Sequence, residues 1–151
     1  MESKTPEELI DILVARRAIE REIARLAAIH ATEEEIKDLW QVQRLHHERT
    51  HHSKGMAAEQ DVAFHRILAK ASRNKVLEGA MELIRQDGQL SPVLEYIRKE
   101  VHSVVALDHA KIAKAVEQHE PELAEKAMVD HIENLIRDVK KYWNKVENNA
   151  Y

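Results

Sequence analysis

Signals for starting an α-helix recur along this chain, and no segment reads as a β-strand. Thr5-Pro6-Glu7-Glu8 supplies an N-cap, a proline at the first helical position and a glutamate at N3 that closes a capping box. Leu9, Ile12, Leu13, Ala24, Leu26 and Ala27 follow at helical spacing, so a first helix is expected to run to about His30. Thr32-Glu33-Glu34-Glu35 is a second capping box, opening a helix through Ile36, Leu39, Val42 and Leu45 that Ser53-Lys54-Gly55 breaks. A third helix carries Val62, Phe64, Ile67, Leu68 and Ala71. Asn74 caps a fourth, with Leu77, Met81 and Ile84. Asp87 to Pro92 is the main internal break, with Ser91 as N-cap of a fifth helix ending near His102. A sixth holds Val105, Ile112, Ala113 and Val116. Glu120-Pro121 repeats the cap-plus-proline pattern before a long last helix through Leu123, Met128, Leu135, Val139 and Trp143.

Composition agrees with that pattern. The 151 residues include three Gly and three Pro, and Ala, Glu, Lys, Arg and Leu supply half the chain. Sheet proteins need more turn residues than this. No heptad register survives across the capped segments, so the expected fold is all-α, an antiparallel bundle of six to seven helices. The absence of cysteine excludes disulfides, iron–sulfur clusters, thiolate zinc sites and cysteine nucleophiles. The net charge of −4 and the lack of any tract of five basic residues leave out the footprint of a nucleic-acid-binding domain. The N-terminus is polar, and no apolar run approaches the ~18 residues of a membrane span. A cytoplasmic location is expected.

Ten histidines remain to be sorted. A histidine that points into a bundle should have apolar neighbours three and four residues away. His65 has Val62, Leu68 and Ala69; His109 has Val105, Ala106, Ile112 and Ala113; His131 has Ala127, Met128 and Leu135. The other seven fail. His46, His47, His51 and His52 sit among Arg44, Glu48, Arg49 and Lys54, and His102 follows Arg98 and Lys99. His30 and His119 fall at helix C-termini, where an imidazolium suits the dipole.

Asp61 lies four residues before His65, on the same face. An unpaired buried carboxylate is costly and requires a cation or donors. One inward histidine alone is more often a hydrogen-bonded core residue than a ligand. Three on separate helices, joined by an inward aspartate, favour a metal. The donor set suits Zn²⁺ first, with Ni²⁺, Co²⁺, Mn²⁺ or Fe²⁺ as options, and disfavours Ca²⁺ and Mg²⁺.

A second arrangement competes. His47-Glu48-Arg49-Thr50-His51 matches H-E-x-x-H, which in zinc peptidases places two histidines and a general base on one helical face. Here the flanks are polar, Arg49 puts a cation between the histidines, and no third ligand follows on an apolar face. A solvated, histidine-rich helix end accounts for it better. A metal-dependent hydrolase, using either this motif or the interior site, is the alternative function. A dimerisation bundle whose inward histidines and aspartate form a polar core network is a third.

The segment Asp61-Val62-Ala63-Phe64-His65-Arg66-Ile67-Leu68-Ala69-Lys70-Ala71-Ser72-Arg73-Asn74 resembles the D-x-x-F-H-x-x-L-x-x-A-S-x-N signature of the FCD domain. That domain is the C-terminal effector-sensing part of FadR-type regulators in the GntR family. Ala15 to Glu20 with Leu26-Ala27-Ala28 resembles the family's first helix, Asp108-His109-Ala110-Lys111-Ile112 its E-H-x-x-I helix, and Ala124, Ala127, Met128 and His131 its last helix. The resemblance spans roughly residues 8 to 140. It implies a helical bundle, usually a homodimer, that binds a small carboxylate metabolite and is not an enzyme. It also implies a divalent metal held by Asp61, His65, His109 and His131. Arg16 falls where the family has an arginine facing the pocket, and Asn134, one turn beyond His131, faces the same way. Val14 stands where Glu is common and Arg73 where Gly is common. The family's N-terminal winged helix has no counterpart here, so residues 1–151 are expected to form one metal- and effector-binding helical domain, with DNA reached only through a domain absent from this chain.

Overall fold

The computed structural model describes residues 4–52, 57–88, 93–94, 96–97 and 102–149. Six helices have defined bounds: α1 (Pro6–His30), α2 (Glu33–His52), α3 (Ala57–Ala71), α4 (Lys75–Gly88), α5 (His102–Glu117) and α6 (Pro121–Asn149). Val93, Leu94, Tyr96 and Ile97 are helical as well, within the segment expected to form the fifth helix. No strand occurs among the described residues. The expected breaks at Ser53-Lys54-Gly55 and at Ser91-Pro92 lie outside them.

The helix starts form as the cap residues dictate. Thr5 and Glu8 close a full capping box, with each side chain bonded to the other's backbone N–H. Thr32 and Glu35 do the same at 3.0 and 3.2 Å. Asn74 Oδ1 accepts from the N–H groups of Val76 and Leu77 at the head of α4. The last turn of α5 closes differently. His119 adopts φ 53°, the left-handed conformation usually given to glycine, while Glu120 N–H donates to Ala115 O and His119 N–H to Val116 O. The His119 ring then donates from Nδ1 to Ala28 O at 2.9 Å, tying this corner to the end of α1.

α1 is the central element, packed against α3, α4, α5 and most extensively α6. α2 lies on α3 and α5. The buried stripe of α1 runs Leu9, Leu13, Arg16, Glu20, Ile23, Ala27, a 3–4 spacing in which two charged residues occupy core positions. His131 sits the same way on α6, between buried Met128 and Leu135. Fully burying each leucine or isoleucine contributes about 1.5–3 kcal/mol, so the apolar ends of these stripes anchor the helices and hold their polar middles in register. Arg73, at φ 59°, ends α3 in another left-handed turn. Its guanidinium donates to both oxygens of Glu35 at 2.9 and 2.7 Å and to Lys70 O, fastening α3 to α2.

Candidate metal centre

The polar middles of the stripes meet. α3 brings Asp61 and His65 inward one turn apart, α5 brings His109, and α6 brings His131. The three histidines are at most 1% exposed and Asp61 8%. One ring nitrogen from each imidazole falls within 4.8 Å of the others. Asp61 Oδ1 lies 3.4 Å from His65 Nε2 and 3.3 Å from His109 Nε2. Phe64 stacks on the His109 ring with centroids 4.3 Å apart and planes 3° from parallel, which fixes the plane of that imidazole.

Two further carboxylates orient the rings. His65 Nδ1 donates to Glu20 Oε1. His131 Nδ1 donates to Asp108 Oδ2 at 3.1 Å. A neutral imidazole with its proton on Nδ1 carries its lone pair on Nε2. Burial drives the pKa of His131 down against the pull of Asp108, and that of His109 well down against the pull of Asp61. Both are therefore neutral near pH 7. The Nε2 atoms of His65 and His131 are buried and make no hydrogen bond. An orphaned buried acceptor costs about 1–3 kcal/mol. A cation among these lone pairs and the Asp61 carboxylate would remove that cost, so the residues fit a divalent metal.

Two buried arginines flank the cluster. Arg16 donates from Nε to Glu20 Oε2 at 2.8 Å. Arg85 donates from Nη2 to Asp61 Oδ2 at 3.3 Å, and its Nη1 lies 3.7 Å from Glu20 Oε1. Burial pushes the Glu20 carboxyl up, but Arg16, His65 and Arg85 outweigh it and hold Glu20 well below the usual carboxylate range. Asp61 is likewise ionised: burial raises it, and Arg85, His109 and His65 bring it well below its ordinary value. For Arg85, burial and then the like charge of Arg16 lower the pKa.

Asn134 reaches the centre through Asp108. Its Nδ2 donates to both Asp108 oxygens at 3.3 and 3.2 Å, and its Oδ1 accepts from Arg137. Asp108 also lines a surface groove of about 670 Å³ between α5 and α6, with Lys111, Lys126 and Asn134 in its walls. The sequence reading picked out Asp61, His65, His109, His131, Arg16 and Asn134. It missed Glu20, Arg85 and Asp108. Glu20 carries a legible signal, since Ile23 and Ala24 lie ahead of it on one helical face. His47, Glu48 and His51 lie on the C-terminal part of α2, and their side chains fall outside the described residues.

Comparison with known proteins agrees with the fold. The FCD domain family model matches residues 11–134. The Uxu operon transcriptional regulator of Escherichia coli is 30% identical over 145 residues, covering 89% of this chain and 54% of that protein. The Glc operon transcriptional activator of Escherichia coli is 29% identical over 154 residues, covering 96% and 59%. The solved structure of a Streptococcus agalactiae GntR superposes with a TM-score of 0.75 at 26% identity, covering 89% of this chain and 60% of that one. The chain belongs to the FCD-domain family, the effector-binding domain of GntR-family transcriptional regulators. It spans about half the length of the curated relatives it matches.

Proposed function

We propose that this chain is a metal-dependent sensor and dimerisation domain whose occupancy by a small carboxylate effector governs DNA binding by an attached domain. The observation that supports this most directly is the pair of orphaned Nε2 lone pairs on His65 and His131, each fixed from behind by a carboxylate. Asp61, His65, His109 and His131 are the metal ligands in this reading. A divalent ion such as zinc, held by four protein atoms, would offer its remaining coordination positions to a carboxylate or hydroxyl oxygen of the effector. Glu20 and Asp108 hold the imidazoles in the ligating tautomer. Arg16, which spends its Nε on Glu20, turns its terminal nitrogens to a second anionic group of the effector. Asn134 acts by orienting Asp108.

α1 carries both Arg16 and Glu20, so a ligand that draws on either acts directly on the N-terminal helix. That helix is the natural relay to a DNA-binding domain on its N-terminal side. Val76 and Leu83, two turns apart on α4 and 81% and 71% exposed, are in keeping with a homodimer. No helix among the described residues is long and apolar enough to cross a membrane, in keeping with a regulator that works in the cytoplasm. Glu20 and Asp108 are each engaged by an imidazole, so neither stands ready as a general base; this favours a sensor over a hydrolase.

The test is zinc content after loading and desalting. Wild type is expected to retain one zinc per chain, and His65→Ala and His131→Ala are expected to lose it. Unchanged stoichiometry in both variants contradicts the four-residue site. A wild type whose melting is unaffected by dialysis against a chelator points instead to a metal-free polar core.

A further inference from the structure

The groove between α5 and α6 is the cavity that the sensor reading leaves without a task. On α5, Asp108, Lys111 and Ala115 recur at a spacing of three or four residues and so share a face; on α6, Ala127, Asp130 and Asn134 do the same. Each wall carries an alanine where a longer side chain would fill the space, and a volume of about 670 Å³ stays open. Sites for small molecules commonly hold ~300–1,000 Å³. Asp108 and Asn134 form the inner wall, bonded to each other, with His131 beyond Asp108. The groove therefore lies outside the histidine cluster, on the surface side of Asp108.

The acids and bases of its walls are not evenly matched. Asp130 is held by Lys126 at 2.7 Å, Glu133 lies 3.7 Å from Arg17, and Asp108 accepts from His131 and Asn134. Each carboxylate is thus engaged. Lys111 and Lys114, exposed on adjoining turns of α5, make no ion pair or hydrogen bond through their side chains among the described residues. Arg137, on α6, donates to the neutral Asn134 Oδ1, and Asp138 feels its charge without bonding to it. Three cations therefore line one concave surface with no carboxylate bonded to them, and a cleft of this kind concentrates anions.

We propose that this groove binds a phosphoryl group between Lys111 and Lys114, with Arg137 reinforcing the positive field from α6. A lysine ammonium is a compact point charge suited to phosphate oxygens, and two of them match a dianion. A carboxylate brings a single charge and leaves the second lysine unmatched. The remaining space, with Leu123 45% exposed towards the N-terminus of α6, leaves room for a small organic body. The ligand class is therefore a phosphomonoester or phosphate itself, taken at a second site apart from the interior one.

Isothermal titration calorimetry of the purified chain at low salt, with phenyl phosphate and with inorganic phosphate, tests this. Wild type should bind one equivalent of at least one of them saturably. The double variant Lys111→Gln, Lys114→Gln should bind at least about tenfold more weakly, the loss expected when charge-assisted bonds go. Lys70→Gln with Lys75→Gln removes the same charge from exposed positions on α3 and α4 and should bind as wild type does. Lys111→Gln and Lys114→Gln alone should each weaken binding, and are read in place of the double variant should that not fold.

Lysine-dependent binding upholds the groove with either ligand. Tighter binding of phenyl phosphate then identifies an ester whose body uses Leu123, and equal or tighter binding of inorganic phosphate identifies the free ion. A wild type that saturates with neither overturns the proposal. Undiminished affinity in the groove variants overturns it too, as does an equal loss in the α3–α4 control, which would leave net charge alone at work. No interior residue is altered, and zinc stoichiometry is read separately, so the sensor reading and this one can each fail alone.

Discussion

His131 Nδ1 donates to Asp108 Oδ2 at 3.1 Å, so a carboxylate on α5 decides which nitrogen of a buried imidazole on α6 is left to face the cluster. Asp108→Asn keeps the shape and removes the charge. Metal affinity is expected to fall about 10–100-fold, the usual effect of losing such a partner, with little change in metal-free melting. A competition titration against a chromophoric chelator measures it; an unchanged dissociation constant would show that the tautomer is set by other means.

Glu20 separates two buried guanidiniums and holds His65. Glu20→Gln leaves Arg16 and Arg85 facing each other without their shared counter-ion. Removing one partner of a buried ion pair typically costs about 3–5 kcal/mol, which at roughly 2–4 °C per kcal/mol for a domain of this size is a melting point lower by at least about 6 °C. A thermal melt by circular dichroism reads the drop, and a change under about 2 °C contradicts the assigned charge balance.

Arg73 occupies a left-handed turn at φ 59°, a conformation that favours glycine. Its conformational cost is offset by the bonds to Glu35 and Lys70 O. Arg73→Ala keeps the strain and loses the bonds; Arg73→Gly loses the bonds and relieves the strain. The glycine variant is expected to be the more stable of the two by about 1 kcal/mol. Equal stabilities in urea would mean that the turn carries no strain.

Acid should weaken this same contact. Hydrogen bonds from Arg73 come first among the causes that hold Glu35 at about 2, down from 4.5. The folded-state pKa is depressed, so the contribution is complete above about 4.5 and is lost as pH falls towards 2. Because Arg73 is 43% exposed, solvent screening limits it to about 1 kcal/mol. Glu35→Gln should therefore differ from wild type in stability at pH 6 and converge with it near pH 2. A difference that persists at pH 2 would place the contribution in packing.

Local rules made most of the fold readable from sequence. The Thr5–Glu8 and Thr32–Glu35 boxes and the Asn74 cap name both partners within a few residues of each other, so nothing distant has to be known. Inward histidines showed for the same reason, since apolar residues three and four positions away mark the face. Arg85 and Asp108 were hidden because their partners lie on other helices, and for Glu20 the inward face was legible but the partners on other helices were not. Only the packing of α1 against α3 and α4 reveals that Glu20 meets His65 and Arg85. Likewise the sequence places His119 at a helix end, but not its glycine-like corner or its bond to Ala28 O, a residue on another helix.

The most direct test of the central claim is anomalous diffraction from crystals of the zinc-loaded chain, collected on either side of the zinc absorption edge. A single strong peak about 2.0–2.2 Å from Asp61 and from one nitrogen each of His65, His109 and His131 is the predicted result. A peak bound instead by His47 and His51, or no peak at the four interior residues in crystals containing zinc, would contradict it.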